Sequence, residues 1–165
     1  MKISENVDYA ATPDAVFAML ADEEFQSRKC VATGALRHSV SISKQGDRTI
    51  IVSKRDMPTD DFPSVVKNMV GATLAITETQ DWGPPDSEGS RQGTLTVDIA
   101  DAPIDLQGTL SLAPGGQGTV ETVEGDLKAR IPMLGGMIEN AASPAIRSAI
   151  RVENETGRAW LASRA

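Results

Sequence analysis

The chain has 165 residues, 40% of them hydrophobic but only 4% aromatic, so one domain with a real core is expected, built mainly from Val, Ile, Leu, Ala and Met. A net charge of −7 argues against a nucleic-acid backbone or an anionic membrane surface as the main partner, because both call for basic patches. A single cysteine, Cys30, excludes an internal disulfide, and with only one histidine in the chain a Cys/His zinc site is excluded too.

Met1-Lys2-Ile3-Ser4-Glu5-Asn6 turns polar at once and lacks the apolar core of a signal peptide. No apolar run approaches the ~20 residues needed to span a bilayer, so a reducing, cytoplasmic setting is the expectation. Lys2 to Ala10 alternates loosely and reads as a first strand. Thr12-Pro13-Asp14 then supplies a helix start, with Thr as cap, Pro at the first helical position and an acid in the first turn. Val16, Phe17, Met19 and Leu20 give that short helix its apolar face. A second short helix is predicted over Glu23 to Val31, ended by Gly34.

From there the period changes to two. Leu36, His38, Val40 and Ile42 share one face, Gln45-Gly46-Asp47 makes a turn, and Arg48 to Met57 returns. Met57 to Pro63 breaks the pattern, Ser64 to Val70 suggests one or two helical turns, and Thr73 to Trp82 is strand again before Gly83-Pro84-Pro85-Asp86. Leu95, Val97 and Ile99 alternate with Thr94, Thr96 and Asp98; after Pro103, Ile104, Leu106, Leu110 and Leu112 do the same. One wet face and one buried face indicate an antiparallel sheet. Pro114 to Gly118 is a tight turn, and Thr119 to Ile131 is the last strand, with Val123, Leu127, Ala129 and Ile131 inward.

Gly135 to Ala165 reads as one long amphipathic helix. Ile138, Ala141, Ala142, Ala145, Ala149, Val152, Thr156 and Trp160 lie near one stripe, whereas Glu139, Arg147, Arg151, Glu155 and Arg158 lie largely opposite. Pro144 inside the pattern predicts a kink near Ser143. A lone long helix after about seven strand-like segments needs a sheet to pack on, and that pairing encloses space of the kind small-molecule binding proteins use.

The element order of strand, two short helices, six strands and a long C-terminal helix resembles the START-like, Bet v 1-like superfamily with its helix-grip fold. More specifically, Pro132-Met133-Leu134-Gly135-Gly136, Ser143-Pro144-Ala145-Ile146 and Glu155-Thr156-Gly157-Arg158-Ala159-Trp160-Leu161 resemble an uncharacterised actinobacterial branch, the DUF2505 family. The resemblance implies an α+β fold in one START-like domain over residues 1–165: a curved antiparallel sheet of about seven strands gripping the long helix over an apolar cavity. Members of the superfamily carry sterols, lipids or plant metabolites, or act as polyketide cyclases and aromatases, and others bind protein partners. The branch brings no catalytic residues to transfer and no cofactor.

The only histidine, His38, has the parity of Leu36, Val40 and Ile42, and Glu78 that of Leu74 and Ile76. If both face the cavity, a His38–Glu78 acid–base pair is one candidate proton-transfer site; otherwise His38 lies near a strand end, half exposed. Met57, Met69, Met133 and Met137 cluster at loops and the helix entry, as core fillers or as an adaptable apolar wall. Trp82 either lines the cavity mouth or caps the sheet, and Trp160 anchors the helix. Val40, Leu74, Ile76, Val97, Leu106, Ile138, Ala141 and Ala145 complete the expected lining. Cys30, beside Arg28 and Lys29, is read as a small buried or half-buried residue. No recognisable catalytic set appears and no metal is implied, which leans against an enzyme. A carrier for a small hydrophobic, lipid- or polyketide-like ligand is the leading expectation. A cyclase or isomerase using His38 and Glu78, or a partner-binding module with a filled core, is the alternative.

Overall fold

The computed structural model describes residues 1–164. Seven antiparallel strands form one sheet in the order β1-β7-β6-β5-β4-β3-β2, with β1 Lys2–Tyr9, β2 Arg37–Gln45, β3 Arg48–Pro58, β4 Thr73–Trp82, β5 Arg91–Ile99, β6 Ile104–Gly115 and β7 Gly118–Ala129. The helices are α1 Pro13–Leu20, α2 Glu23–Ala32, α3 Ser64–Val70 and α4 Gly135–Ser163. Chain neighbours from β2 to β7 pair as hairpins, and β1 then pairs with β7. The two edge strands, β1 and β2, are therefore consecutive in sequence, and α1 and α2 carry the chain across the gap between them.

Local chemistry explains those two helices. Thr12 accepts the Ala15 N–H at 3.2 Å and Pro13 presets the first turn of α1; Asp22 accepts the N–H groups of Glu24 at 2.8 Å and Phe25 at 3.1 Å to start α2. Their apolar residues Val16, Met19, Leu20 and Phe25 are buried, each stabilising the fold by about 1.5–3 kcal/mol on removal from water.

The register fixes the concave face. Val40, Ser53, Glu78, Val97, Leu106 and Leu127 lie opposite one another strand by strand, as do Ile42, Ile51, Gln80, Leu95 and Gly108. Gly108 of β6 faces Gly125 of β7, and a Cβ on Gly108 would stand 1.9 Å from the Glu124 carbonyl oxygen, so only glycine lets the strands approach so closely.

α4 packs on the concave face against α2, β1 and β7. It is buried only near its ends, at Ile138 and at Gly157 and Trp160. Between them its apolar residues, including Ala142, Ile146 and Ile150, are partly covered. Helix α4 runs continuously across Pro144; both Pro144 and Asn140, whose carbonyl the proline leaves without its helical partner, are exposed to solvent. The last strand stops at Ala129 rather than Ile131, because Arg130 N–H turns to the Pro103 carbonyl and the Ile131 carbonyl accepts from Leu134 and Gly135 to open α4. Glu139, expected on the wet face, instead accepts the Ala129 N–H at 3.0 Å and ties α4 to the end of β7.

Candidate ligand cavity

Because the middle of α4 bridges the sheet without filling it, a cavity of about 500 Å³ remains between them. Its walls are mostly apolar, with Leu74, Ile76, Leu95, Val97, Leu106 and Leu110 from the sheet and Ala142, Ala145, Ile146, Ala149 and Val152 from α4. The exposed lining residues are Ala32, Gly34, Asp61, Ala145 and Ser148, which puts the mouth between the end of α2, the β3–α3 loop and the middle of α4. Outside the lining, next to Gln80, Phe17 meets Trp82 edge-on at a centroid distance of 6.0 Å, and the Arg91 guanidinium covers Phe17 at 3.6 Å.

One side of this apolar space carries a connected polar wall. Lys29 donates to Glu78 Oε1 at 3.0 Å, and Arg55 donates to Glu78 Oε2 at 2.8 Å. The same two cations reach Glu153 of α4, at 3.6 Å from Lys29 and 3.4 Å from Arg55. Gln80 donates to Glu78 Oε1 at 2.8 Å, and Trp82 Nε1 donates to Gln80 Oε1 at 2.9 Å, so alternate residues of β4 form a relay ending on the Glu78 carboxylate. Glu78, Lys29 and Arg55 are all buried.

These contacts set the charges. Burial by itself raises the Glu78 carboxyl, but Lys29 and Arg55, with hydrogen bonds from Lys29 and Gln80, outweigh it and bring the pKa down to about 2. Burial likewise works against the charge on Lys29 and on Arg55, and the carboxylates of Glu78 and Glu153 overcome it, raising both. Glu121 of β7 has no cation within ion-pair reach among the described residues. Burial, reinforced by Glu153 and Glu78 against the pull of Lys29, lifts it to about 7. Tyr9 of β1 turns its hydroxyl toward Glu121, and burial with the acids beside it holds that hydroxyl protonated, well above the ordinary tyrosine value. Cys30 is fully buried, and burial raises its thiol despite Arg55 and Lys29 nearby.

The profile of a family described as "Protein of unknown function (DUF2505)" matches residues 4–161. The chain belongs to the DUF2505 family. The uncharacterized protein Rv0481c of Mycobacterium tuberculosis is 27% identical to this DUF2505 chain over 118 residues, which are 70% of this chain and 67% of that one. Among solved structures, TTHA0849 from Thermus thermophilus superposes with a TM-score of 0.58 at 16% identity, over 96% of this chain and 97% of that chain. The ZhuI aromatase/cyclase from Streptomyces sp. R1128 superposes with a TM-score of 0.59 at 10% identity, over 95% and 93%. Ara h 8.0201 gives 0.57 at 11% identity, over 95% and 97%. At such identities the likeness is one of fold: this DUF2505 chain has the START-like, Bet v 1-like arrangement.

The expected site residues separate cleanly in this arrangement. Met57, Leu74, Ile76, Glu78, Val97, Leu106 and Ala145 line the cavity. His38 has the concave-face parity but sits exposed on edge strand β2, opposite Arg55. It stands two strands away from Glu78, roughly 10 Å across the sheet at ordinary strand spacing, and no His38–Glu78 pair forms. Glu78 is instead held ionised by its two cations. Val40 on the same edge strand, and Ala141 on α4, are partly covered outside the lining. Met69 packs against the core, Ile138 is fully buried at the start of α4, and Trp82 is fully buried in the core outside the lining. Met133, with φ +65°, and Met137 are exposed at the helix entry. Trp160 anchors α4 through an edge-on contact with Phe25 at 5.6 Å.

Sequence reasoning passed over Tyr9, Lys29, Arg55, Gln80, Glu121 and Glu153. Three of them carried a signal. Gln80 continues the parity of Leu74, Ile76 and Glu78, Glu121 shares that of Val123, and Arg55 that of Ile51 and Ser53. A polar residue at inward parity in three strands was legible as a polar wall.

Proposed function

We propose that this DUF2505 protein binds and carries a small hydrophobic molecule, lipid- or polyketide-like in character, in the space between its sheet and α4. The observation that carries this reading is the cavity of about 500 Å³, apolar on most sides and open beside Asp61. A filled-core partner module would close α4 onto the sheet, and here the middle of the helix stands clear of it. The fold likeness to an aromatase/cyclase supports a ligand-holding use of the same space. A cyclase reading built on His38 and Glu78 draws no support from an exposed histidine and an acid already paired with two cations.

The test is binding of the neutral apolar dye Nile red, together with native mass spectrometry and organic extraction of the purified protein. Dye fluorescence or a co-purified apolar species at one per chain is the expected outcome. Val97→Trp and Ala149→Phe, which grow into the cavity from the sheet and from α4, should each abolish it while leaving the folded circular dichroism spectrum in place. A protein that takes up neither dye nor extractable ligand, or variants that bind as well as wild type, would overturn the reading.

A further inference from the structure

The polar wall of the cavity is unbalanced. Three buried or half-buried acids, Glu78, Glu121 and Glu153, face only two bases, Lys29 and Arg55, and no other Lys or Arg lines the space among the described residues. Both bases are engaged by Glu78 and Glu153. Glu121 is the remaining acid: nine-tenths buried, lining the cavity, without a cationic partner, and with the Tyr9 hydroxyl as its polar neighbour. At the mouth Asp61 adds a further negative charge, while Asp105, also on the lining, is paired with Arg130. A second carboxylate brought in by a ligand would find no free cation. An ammonium group would complete the wall.

We propose that Glu121 is the recognition group for a ligand ammonium, so that the cavity takes an apolar amine: a hydrophobic body carrying one protonated nitrogen. This rests on the ligand-cavity reading above and adds the chemical class of the ligand to it. The apolar residues take the body of the molecule, and the Glu121 carboxylate, with Tyr9 beside it, takes the nitrogen. The pairing has a consequence in pH. Glu121 is faced by Tyr9 from β1, Lys29 from α2, Glu78 from β4 and Glu153 from α4, with Arg55 from β3 behind Glu78, and in the empty cavity it is half protonated near pH 7. An ammonium binds only the ionised form, so binding expels the Glu121 proton. Affinity falls by up to about tenfold for each pH unit below 7.

Calorimetric titration with decylamine, 1-decanol and sodium decanoate, which share one chain and differ in head group, tests this between pH 5.5 and 7.5. Decylammonium is expected to bind at least about tenfold more tightly than the other two at pH 7.5. It should lose about tenfold or more on going to pH 5.5 and release a proton detectable by comparing buffers of different ionisation heat. Glu121→Gln should abolish both the amine preference and the pH slope while still binding decanol. Decanoate binding as tightly as the amine, an amine affinity flat in pH, or a Glu121→Gln protein with the preference intact would overturn the proposal. Should that variant fail to fold, the head-group series and the pH slope on the wild-type protein decide alone. Decanol binding without amine preference refutes only the head-group assignment, whereas no binding of any of the three refutes the cavity reading with it.

Discussion

Glu78 and Glu121 sit on the same concave face and shift in opposite directions, because Glu78 is paired with two cations whereas burial, reinforced by the neighbouring acids, prevails at Glu121. Glu78 joins Lys29 and Arg55 in a buried ion-pair cluster whose removal from water is costly, so such a cluster adds little net stability while intact and much loss when broken. Glu78→Gln leaves two buried cations sharing one half-buried acid, and we expect a loss of about 3–5 kcal/mol in urea unfolding at neutral pH. A loss under about 1 kcal/mol would mean that water already screens the cluster. Glu121 gives the contrary case. Its folded value of about 7 lies above that of an unfolded carboxyl, so its favourable contribution is complete in acid, below the unfolded value, and is lost as pH rises through 7. Glu121→Gln should therefore be more stable than wild type near pH 8, by up to about 3 kcal/mol, with the gap closing toward pH 4. Parallel stability–pH curves for the two proteins would refute this. Glu78, lowered to about 2, behaves inversely: its contribution is present above the ordinary carboxyl value and is lost only as pH falls through about 2.

Among the elements, α4 does the enclosing, and its fully buried residues lie near its two ends. Near its C-terminal end Gly157 lies on Tyr9, where an added Cβ would come within 2.9 Å of the ring and 3.1 Å of the Met19 methyl. That close approach sets how near the helix comes to β1, and with it the position of Glu153 one turn earlier against Lys29 and Arg55. Gly157→Leu should cost about 1–3 kcal/mol by overpacking, measured by thermal unfolding. It should also weaken Nile red uptake, since the cavity roof shifts with the helix. An unchanged melting temperature would show that α4 has slack at this contact. Trp160, stacked edge-on with Phe25 and covered by the Arg28 and Arg164 guanidinium groups at 5.1 and 3.3 Å, provides the second fastening.

For the whole molecule, the bend of the sheet decides whether there is a cavity at all. Gly108 of β6 pairs with Gly125 of β7, and no side chain fits on Gly108 against the Glu124 carbonyl. Gly108→Ala is expected to cost about 3 kcal/mol or more and to lower ligand uptake, because relieving the collision means parting the two strands or flattening the sheet. A variant as stable as wild type would show that the bend does not depend on this contact. The fold also explains how consecutive strands come to form opposite edges. α1 and α2 must span the open side of the curved sheet, and in doing so they carry Lys29 beneath α4.

Period-two alternation and the turn residues between strands were enough to read the elements, since each is a local property: Ser64–Val70 and Thr73–Trp82 are found where the sequence placed them. Parity alone also put Glu78, Leu106 and Val97 on the inner face. Tertiary structure decided the rest. Parity says which side of a strand a residue is on and not how far along a curved sheet it lies, so His38 and Glu78 look equivalent in sequence while the edge strand leaves one exposed and the centre buries the other. Lys29, read in sequence only as a charge beside Cys30, becomes a buried cation because α2 docks over the open edge. The cavity itself is a remainder of packing, the volume left where α4 spans a bent sheet, and such a remainder depends on all the elements at once rather than on any one of them.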